Sequence, residues 1–292
     1  MYNLEQLRMF AEAADGGSFS ASARALGKVQ SAVSQGIANL EIDLGVALFD
    51  RTTRKPRLTA EGERLLGHAR AVLQQAAELE AAARGLHAGE ETLIRLVLED
   101  ALLLPRLSDI LTDFGARFRA TAIEIVTAPS PDIARIVKQG RADIGLMFSA
   151  IEIDTDVDLC FIGNLPFHAV CRPDHPLAGI EPVEIRDLVP HRQILVRGEA
   201  GSRLDLLAPL SSELWWTTSF NVVRELALQG VGWAYLPAHL IDRPVREGRA
   251  VRLNLSLDHK PWSPPVDRVL PKNRALGPAR AWLSEALTEL LP

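Results

Sequence analysis

At 292 residues, 47% hydrophobic, with five Trp and nine Phe, the chain can bury a sizeable core and should divide into two or three domains. A formal net charge of −5 excludes a globally basic molecule, so any binding to nucleic acid must come from cations gathered in one place. Two cysteines, the lack of a signal pattern and the lack of an apolar run of membrane-spanning length point to a cytoplasmic protein with no membrane partner.

The chain opens on a helix that Gly16 and Gly17 stop, because glycine enters the left-handed region at a helix end without strain. Ser18 or Ser20 then caps a second helix, in which Ala21, Ala23 and Ala25 are expected to leave room for a following helix to pack across. Leu26-Gly27 closes it. A third helix runs from Gln30 to Leu44, with Val33, Ile37, Leu40 and Leu44 on one face at three- and four-residue spacing. Its opposite face starts with Gln30, Ser31, Ser34 and Gln35, uncharged polar residues of the kind that meet base edges when a helix enters the major groove. Leu48-Phe49 leads into Arg51, Thr52, Thr53, Arg54, Lys55 and Arg57, which reads as a basic wing whose cations lie on phosphates. That succession is the order of a winged helix-turn-helix. The DNA-facing candidates are Ser18, Gln30, Ser31, Ser34, Gln35, Arg51, Thr53, Arg54 and Lys55, and the expected partner is double-stranded DNA.

The blocks GSFSASARALG, SAVSQGIANLE, GVALFDRTTRKPRLT and AEG, in this order, resemble the LysR-type transcriptional regulators. The resemblance continues more thinly through PDHPLA at Pro173 to Ala178 and LALQGVGWAYLP at Leu226 to Pro237. It implies a homodimer or homotetramer, an interrupted dyad as DNA site, a small-molecule effector, RNA polymerase as a further partner, and no enzymatic activity. One departure is Gly36, where a longer polar residue is usual on the recognition helix; glycine there costs about 1 kcal/mol of helix propensity and removes one DNA contact.

From Thr59 to Gly89, Leu65, Ala69, Val72, Ala76, Leu79, Ala83 and Leu86 recur at alternating steps of four and three, a heptad seam that a partner helix would cover. The alternative is an amphipathic helix packed on its own domain. The resemblance implies a linker helix pairing protomers antiparallel. Gly85 to Glu91 then reads as a domain junction, giving a DNA-binding domain over 1–58, a linker over 59–89 and an effector domain over 90–292.

Beyond the junction, strand and helix patterns alternate. LIRLVL, a helix from about Pro105 to Arg119, IEIVTA, a helix over 132–140 and ADIGLMF give a parallel β-α-β rhythm. A second set follows with LCFIG, LPFHAVCR, RQILVR, LWWTTS, GWAYLP and AVRLNL as strands, then PPVDRVLPK as a return strand and a last helix over Ala275 to Leu291. The fold class is α/β: a winged helix-turn-helix and long linker helix, then a two-lobed effector domain of the periplasmic-binding-protein kind. Lobe I covers about 92–163 and 266–292 and lobe II about 164–265, with crossovers near Gly163 to Pro166 and Ser263 to Val266.

Ligands in such sheets sit beyond the carboxyl ends of strands. Those positions are Asp100, Ala101, Leu102, Thr127, Ser130 and Phe148 in lobe I, and Ser202, Arg203, Ser219, Phe220 and Asn221 in lobe II. Asp100 and Ser202 are expected to face each other across the lobes. Glu99 and Asp100 stand where the family often has Ser or Thr. Their charge opposes an anion unless Arg203 or a helix dipole outweighs it, which leaves a cationic, amine-bearing or neutral aromatic effector open beside an anionic one. The bland reading is that Asp100 caps the following helix.

Cys160, His168, Cys171 and His175 lack the tight pair spacing of a structural zinc site, so no metal or cofactor is assigned. Both cysteines fall on apolar strand patterns, as small buried hydrophobes do. Trp215-Trp216 and Trp233 read first as strand core. An enzyme or a solute carrier on the same two-lobed plan would need a catalytic constellation or a signal peptide, and neither is found; a nucleoid-type architectural protein would bind DNA with little sequence preference.

Overall fold

The computed structural model describes residues 2–50, 56–87, 89–149, 155–204, 206–272 and 275–292; in the long helix described below, the side chains at 78, 81, 82, 84, 86 and 87 fall outside the description. The chain forms two compact units, Met1–Arg84 and Gly85–Pro292.

Unit 1 begins with α1 (Leu4–Gly16), whose start is fixed by a capping box between Asn3 and Gln6 and whose end turns at Gly17, φ +62°. Ser18 caps α2 (Phe19–Ala25), accepting from the Ala21 N–H at 3.1 Å. Recognition-type helix α3 (Gln30–Leu44) closes on Gly45 in the left-handed region, φ +72°. Phe10, Val33, Ile37, Leu40 and Leu48 form the buried centre, so the apolar stripe on α3 faces inward as its spacing requires.

Two details differ from the sequence expectation. Of the three alanines expected to make room for α3, Ala23 is buried, Ala21 half-buried and Ala25 exposed, while the contact of α2 with α1 runs through buried Ser22. Ser22 Oγ donates to the carbonyls of Glu12 and Ser18 at 3.1 and 2.9 Å, tying the two helices together. Gly36 packs against α1, and a Cβ built there would stand 2.3 Å from Met9 Sδ, so helix crossing explains that glycine.

The hairpin that follows pairs β1 (Phe49–Asp50) with β2 (Arg57–Leu58) in antiparallel register. Glu41 Oε1 accepts from the Leu48 and Phe49 N–H groups at 2.8 and 3.1 Å, and Phe49 meets Phe10 and Phe19 edge-on. These contacts root the wing in the helical core.

Helix α4 (Ala60–His87) starts where Thr59 Oγ1 accepts from Gly62 N–H and donates to the Ala47 carbonyl. Its seam divides in two. Ala69 is buried and Leu65 half-buried in the unit 1 core, together with Leu66 and Leu73 off the seam, whereas Val72 and Leu79 are 44% and 72% exposed. Leu86 lies outside the described side chains.

In unit 2, β3 (Leu93–Leu98) lies between parallel neighbours β4 (Ala122–Thr127) and β5 (Ile144–Phe148), with α5 (Pro105–Arg117) and α6 (Ser130–Lys138) as crossovers. β12 (Pro265–Pro271) joins antiparallel to both β5 and β6 (Val157–Asn164), completing a five-stranded sheet in the order β4-β3-β5-β12-β6. The second lobe has β7 (Phe167–Cys171) between antiparallel β10 (Ala234–Pro237) and β11 (Val251–Arg252), and β8 (Gln193–Val196) paired parallel with β9 (Leu214–Thr217). Helices α7 (Ile185–Leu188), α8 (Phe220–Leu228) and α9 (Ala238–Arg246) complete it. The two crossover segments run side by side, bonded from Leu165 N–H to the Pro264 carbonyl and from Phe167 N–H to the Trp262 carbonyl.

The expected last helix is shorter than its pattern: α10 (Pro278–Ala286) tightens into a 3₁₀ turn at Leu287–Glu289. Trp233 is fully buried, but Trp215 is 47% exposed with the Arg192 guanidinium 4.2 Å from its ring centroid, a cation–π lid rather than core. Cys171 is buried, and that burial pushes its thiol up to about 12, so it holds no thiolate near neutral pH.

Gly62 and Gly67 give a paired test of how tightly α4 is seated. A Cβ at Gly62 would lie 2.2 Å from the Leu48 carbonyl oxygen, which is backbone, whereas Gly67 has nothing within 4 Å. Gly62→Ala should destabilise unit 1 by about 1–3 kcal/mol, while Gly67→Ala should stabilise it by about 0.5–1 kcal/mol through helix propensity. Urea unfolding followed by circular dichroism checks both; equal effects would mean that α4 does not close on the wing.

Candidate functional site

The polar face of α3 is turned away from the core. Val29 is the N-cap residue and no side chain caps the helix. Gln30 and Ser31 are exposed, Ser34 is half-buried, and exposed Gln35 donates from Nε2 to Asn39 Oδ1 at 2.9 Å. Amide and hydroxyl groups thus occupy the outer face of the first turns while the inner face is locked in the core. Ser18 is half-buried and occupied by its capping bond. Arg57 is exposed on β2; Arg51, Thr53, Arg54 and Lys55 lie outside the described residues. Sequence reasoning passed over Val29, 67% exposed directly before Gln30. Its methyl groups suit the C5-methyl of thymine, and a β-branched apolar residue beside a polar helix start was the available signal.

The cleft of unit 2 lies at the carboxyl ends of β3 and β4, with a cavity volume of ≈ 130 Å³. Glu99, Asp100 and Thr127 line it from lobe I, and Glu199, Thr218 and Ser219 from lobe II. Among the described residues, no Lys, Arg or His lines it.

Asp100 is 8% exposed and seated on the N-terminus of α8. Its carboxylate accepts from Ser219 Oγ at 2.5 Å, Phe220 N–H at 3.0 Å, Asn221 N–H at 3.2 Å and Asn221 Nδ2 at 3.0 Å. It caps a helix, as the bland reading held, but the helix belongs to the other lobe. A negative charge there is doubly favoured, by free N–H groups and by the helix dipole.

A second bond crosses the cleft, from Glu199 N–H to Asp132 Oδ2 at 2.8 Å; Asp132 is itself held by Arg135 at 2.9 Å. Ser202, expected opposite Asp100, instead lies near this second clasp: a Cβ on Gly198 would stand 3.0 Å from Asp132 Oδ2 and 3.1 Å from Ser202 Oγ. Ser202 and Arg203 are exposed.

Several other sequence candidates are buried in the core and do not line the cavity, so the expected effector contact is not seen for them. Ala101 and Leu102 are fully buried. Phe148 and Phe220 pack edge-on to each other and to Phe167, with centroids 5.3–5.7 Å apart. Ser130 is a brace: its N–H donates to Glu99 Oε2 at 2.7 Å and its Oγ accepts from Phe148 N–H at 3.0 Å. Asp132, Glu199 and Thr218 were not among the sequence candidates; Glu99 was read with Asp100 as an acidic residue at the end of the first strand of this domain.

Glu99 is fully buried, and its Oε1 has no hydrogen-bond partner. Burial pushes its carboxyl up to about 8, the Ser130 N–H partly opposing and the neighbouring Asp100 charge adding to the rise.

Two family models cover most of the chain. Residues 4–63 match the bacterial regulatory helix-turn-helix protein, lysR family, and residues 87–292 match the LysR substrate binding domain. The chain is 33% identical over 286 residues to the HTH-type transcriptional regulator AceR of Acinetobacter baumannii, covering 96% of this chain and 95% of that one. It is 31% identical over 256 residues to the multiple virulence factor regulator MvfR of Pseudomonas aeruginosa, covering 85% and 74%. Among solved structures, full-length BenM aligns with a TM-score of 0.57 at 20% identity, covering 99% of this chain and 96% of that one. CrgA from Neisseria meningitidis aligns with a TM-score of 0.53 at 23% identity, covering 99% and 98%.

Glu99 makes stability depend on pH with a definite sign. The folded carboxyl keeps its proton up to about pH 8, whereas the unfolded one loses it above about 4.5. Its contribution to stability is therefore full below about pH 4.5 and is lost as pH rises through 8. Thermal unfolding between pH 6 and 9, within about a unit or two of that value, should show a falling midpoint in the wild type and a flatter profile in Glu99→Gln. Parallel profiles would mean that Glu99 ionises freely in the fold.

Proposed function

The chain belongs to the LysR family of DNA-binding transcriptional regulators, and we propose that it reads an interrupted dyad through paired winged helices whose spacing answers to a small molecule in the interlobe cleft. The observation that carries this reading is the cleft itself: two lobes joined by adjacent crossovers and clasped by Asp100 and Asp132, with polar side chains from both lobes around a cavity. An effector can shift such an equilibrium only by binding its two arrangements with different affinity.

On the DNA side, Gln30, Ser31, Ser34 and Gln35 are assigned to base edges, with Val29 as an apolar neighbour. Arg51, Thr53, Arg54, Lys55 and Arg57 are assigned to phosphates. On the cleft side, Asp100, Thr127, Ser219 and Asn221 are assigned to the effector site and its closure, and the buried Ala101, Leu102, Ser130, Phe148 and Phe220 to its support. The dimer is assigned to the exposed half of the α4 seam. RNA polymerase is a partner that this reading admits without assigning a surface.

Base readers and phosphate contacts should separate in binding experiments. Gln30→Ala should cost about 1–3 kcal/mol on the operator and little on random DNA. Arg57→Ala should weaken binding to both and lower the salt slope by about one. Fluorescence anisotropy on a footprinted operator and a scrambled duplex measures this, and equal losses for Gln30→Ala on both would remove it from base readout.

The dimer assignment has its own test. Val72→Glu with Leu79→Glu would place like charges in a helix pairing, where an uncompensated buried charge is strongly destabilising. Light scattering should then give a smaller particle than the wild type. An unchanged mass, with the double variant still folded, would move the interface off this face.

A further inference from the structure

Resting on the reading of the cleft as the effector site, we infer that its occupant is a small organic cation carrying a primary ammonium, held at Glu99 Oε1 with Glu199 beside it and the Thr127 and Thr218 hydroxyls around it.

The argument starts from Glu99. One oxygen accepts from the Ser130 N–H; Oε1 is buried, accepts no hydrogen bond and belongs to a residue that lines the cleft. While Glu99 is protonated it shares that proton with the neighbouring Asp100, but once ionised its Oε1 is a buried charge without a donor, which an N–H donor in the cleft would satisfy. The charge around it sets the sign of that donor's group. Asp100 adjoins it, Glu199 lies across the cleft, and Asp132 on α6 is held by Arg135; among the described residues no cation lines the cavity. An anionic occupant would meet carboxyl groups without a countercharge, whereas an ammonium finds one.

A bare metal ion is the poorer fit. The Asp100 carboxylate already accepts four hydrogen bonds from α8, and no group of three or more His, Cys, Asp or Glu among the described residues is placed to hold a metal. Hard divalent cations need about six oxygen ligands. A primary ammonium needs three acceptors, which Glu99 and two threonine hydroxyls can provide. The cavity of ≈ 130 Å³ admits a short chain, with the remainder of a longer ligand running out past exposed Glu199 and Thr218.

Binding is then tied to a proton. Glu99 in the empty cleft keeps its proton up to about pH 8. The arriving ammonium is already charged, so the Glu99 carboxyl gives its proton to solvent and pairs as carboxylate. Apparent affinity should therefore rise about tenfold per pH unit between pH 6 and 8, with close to one proton released at pH 7.

Three isosteres of different charge, propylammonium, propionate and 1-propanol, test this on the full-length protein by thermal shift, with potassium chloride at equal ionic strength as reference. Propylammonium should raise the wild-type midpoint and the other two should not. Glu99→Gln should abolish the shift and Glu199→Gln should reduce it. Calorimetry in buffers of differing ionisation enthalpy should count the released proton. The inference is overturned if propionate or propanol stabilises as well as the ammonium, if the ammonium shift survives Glu99→Gln intact, or if no shift is seen up to the solubility limit. Should Glu99→Gln fail to fold, the Glu199→Gln response and the pH slope decide in its place. A separate arm protects the underlying reading. Hits from a mixed-charge metabolite library that are lost on Thr218→Trp keep the cleft as effector site even where they are anions, and hits untouched by Thr218→Trp sink the cleft assignment itself.

Discussion

The effector domain depends on one buried charge, the Asp100 carboxylate set against the first turn of α8. Covalently, the lobes are joined only by two neighbouring crossovers, which restrain their separation at one side. Four donors from Ser219, Phe220 and Asn221 converge on Asp100 from the opposite lobe and close the rest. Bonds to a charged acceptor each contribute about 1.5–3 kcal/mol, more than a neutral pair, and their loss would leave a nearly buried carboxylate to be resolvated. The Asp132 bond to Glu199 N–H adds a weaker second clasp.

Clasp and cavity share residues, and this gives the cleft its consequence. Asp100, Glu199 and Ser219 line the space that an occupant would fill, and the same three residues hold the lobes together. An occupant that bonds to them differently in closed and open arrangements would alter the balance between the two. Beneath them the response has little slack. Phe148 of lobe I interlocks edge-on with Phe167 and Phe220 of lobe II, and Ser130 bonds to both Glu99 and the β5 backbone, so close packing joins the two lobes next to the clasp. Close-packed interiors transmit displacement rather than absorb it.

What was legible in the sequence follows from the range of the physics involved. Helix α3 begins at Gln30 and ends at Leu44, as its stripe and the following Gly45 dictate, because periodicity and capping are local. The strand ends carrying Asp100, Thr127 and Ser219 were legible for the same reason. The partner of Asp100 was not: 119 residues separate it from Ser219, and only the folded lobes bring them together. Gly36 was misread through the same limit, since its reason is Met9 on another helix. Trp215 was taken for core because aromatic strand residues usually are; the Arg192 guanidinium over its ring is a tertiary fact that no strand pattern carries.

The split seam of α4 links DNA reading to assembly in physical terms. Its early turns are fused to the DNA-reading unit: Leu65, Leu66, Ala69 and Leu73 sit in the same core as Val33 and Ile37 of α3, and Gly62 presses on the Leu48 carbonyl at the foot of the wing. The seam from Val72 onward turns off that core, leaving Val72 and Leu79 open. A helix anchored so firmly at one end behaves as a rigid extension of the reading head, since turning it would break core packing and the Thr59 bonds together. In a dimer built on the open half, the distance between the two copies of α3 is therefore fixed by where the α4 helices cross. A shift of a single helical turn in that crossing, about 5.4 Å, is half of a 10–11 Å displacement summed over both heads. Against a half-site spacing of about 34 Å per DNA turn, that is enough to move a head out of its groove.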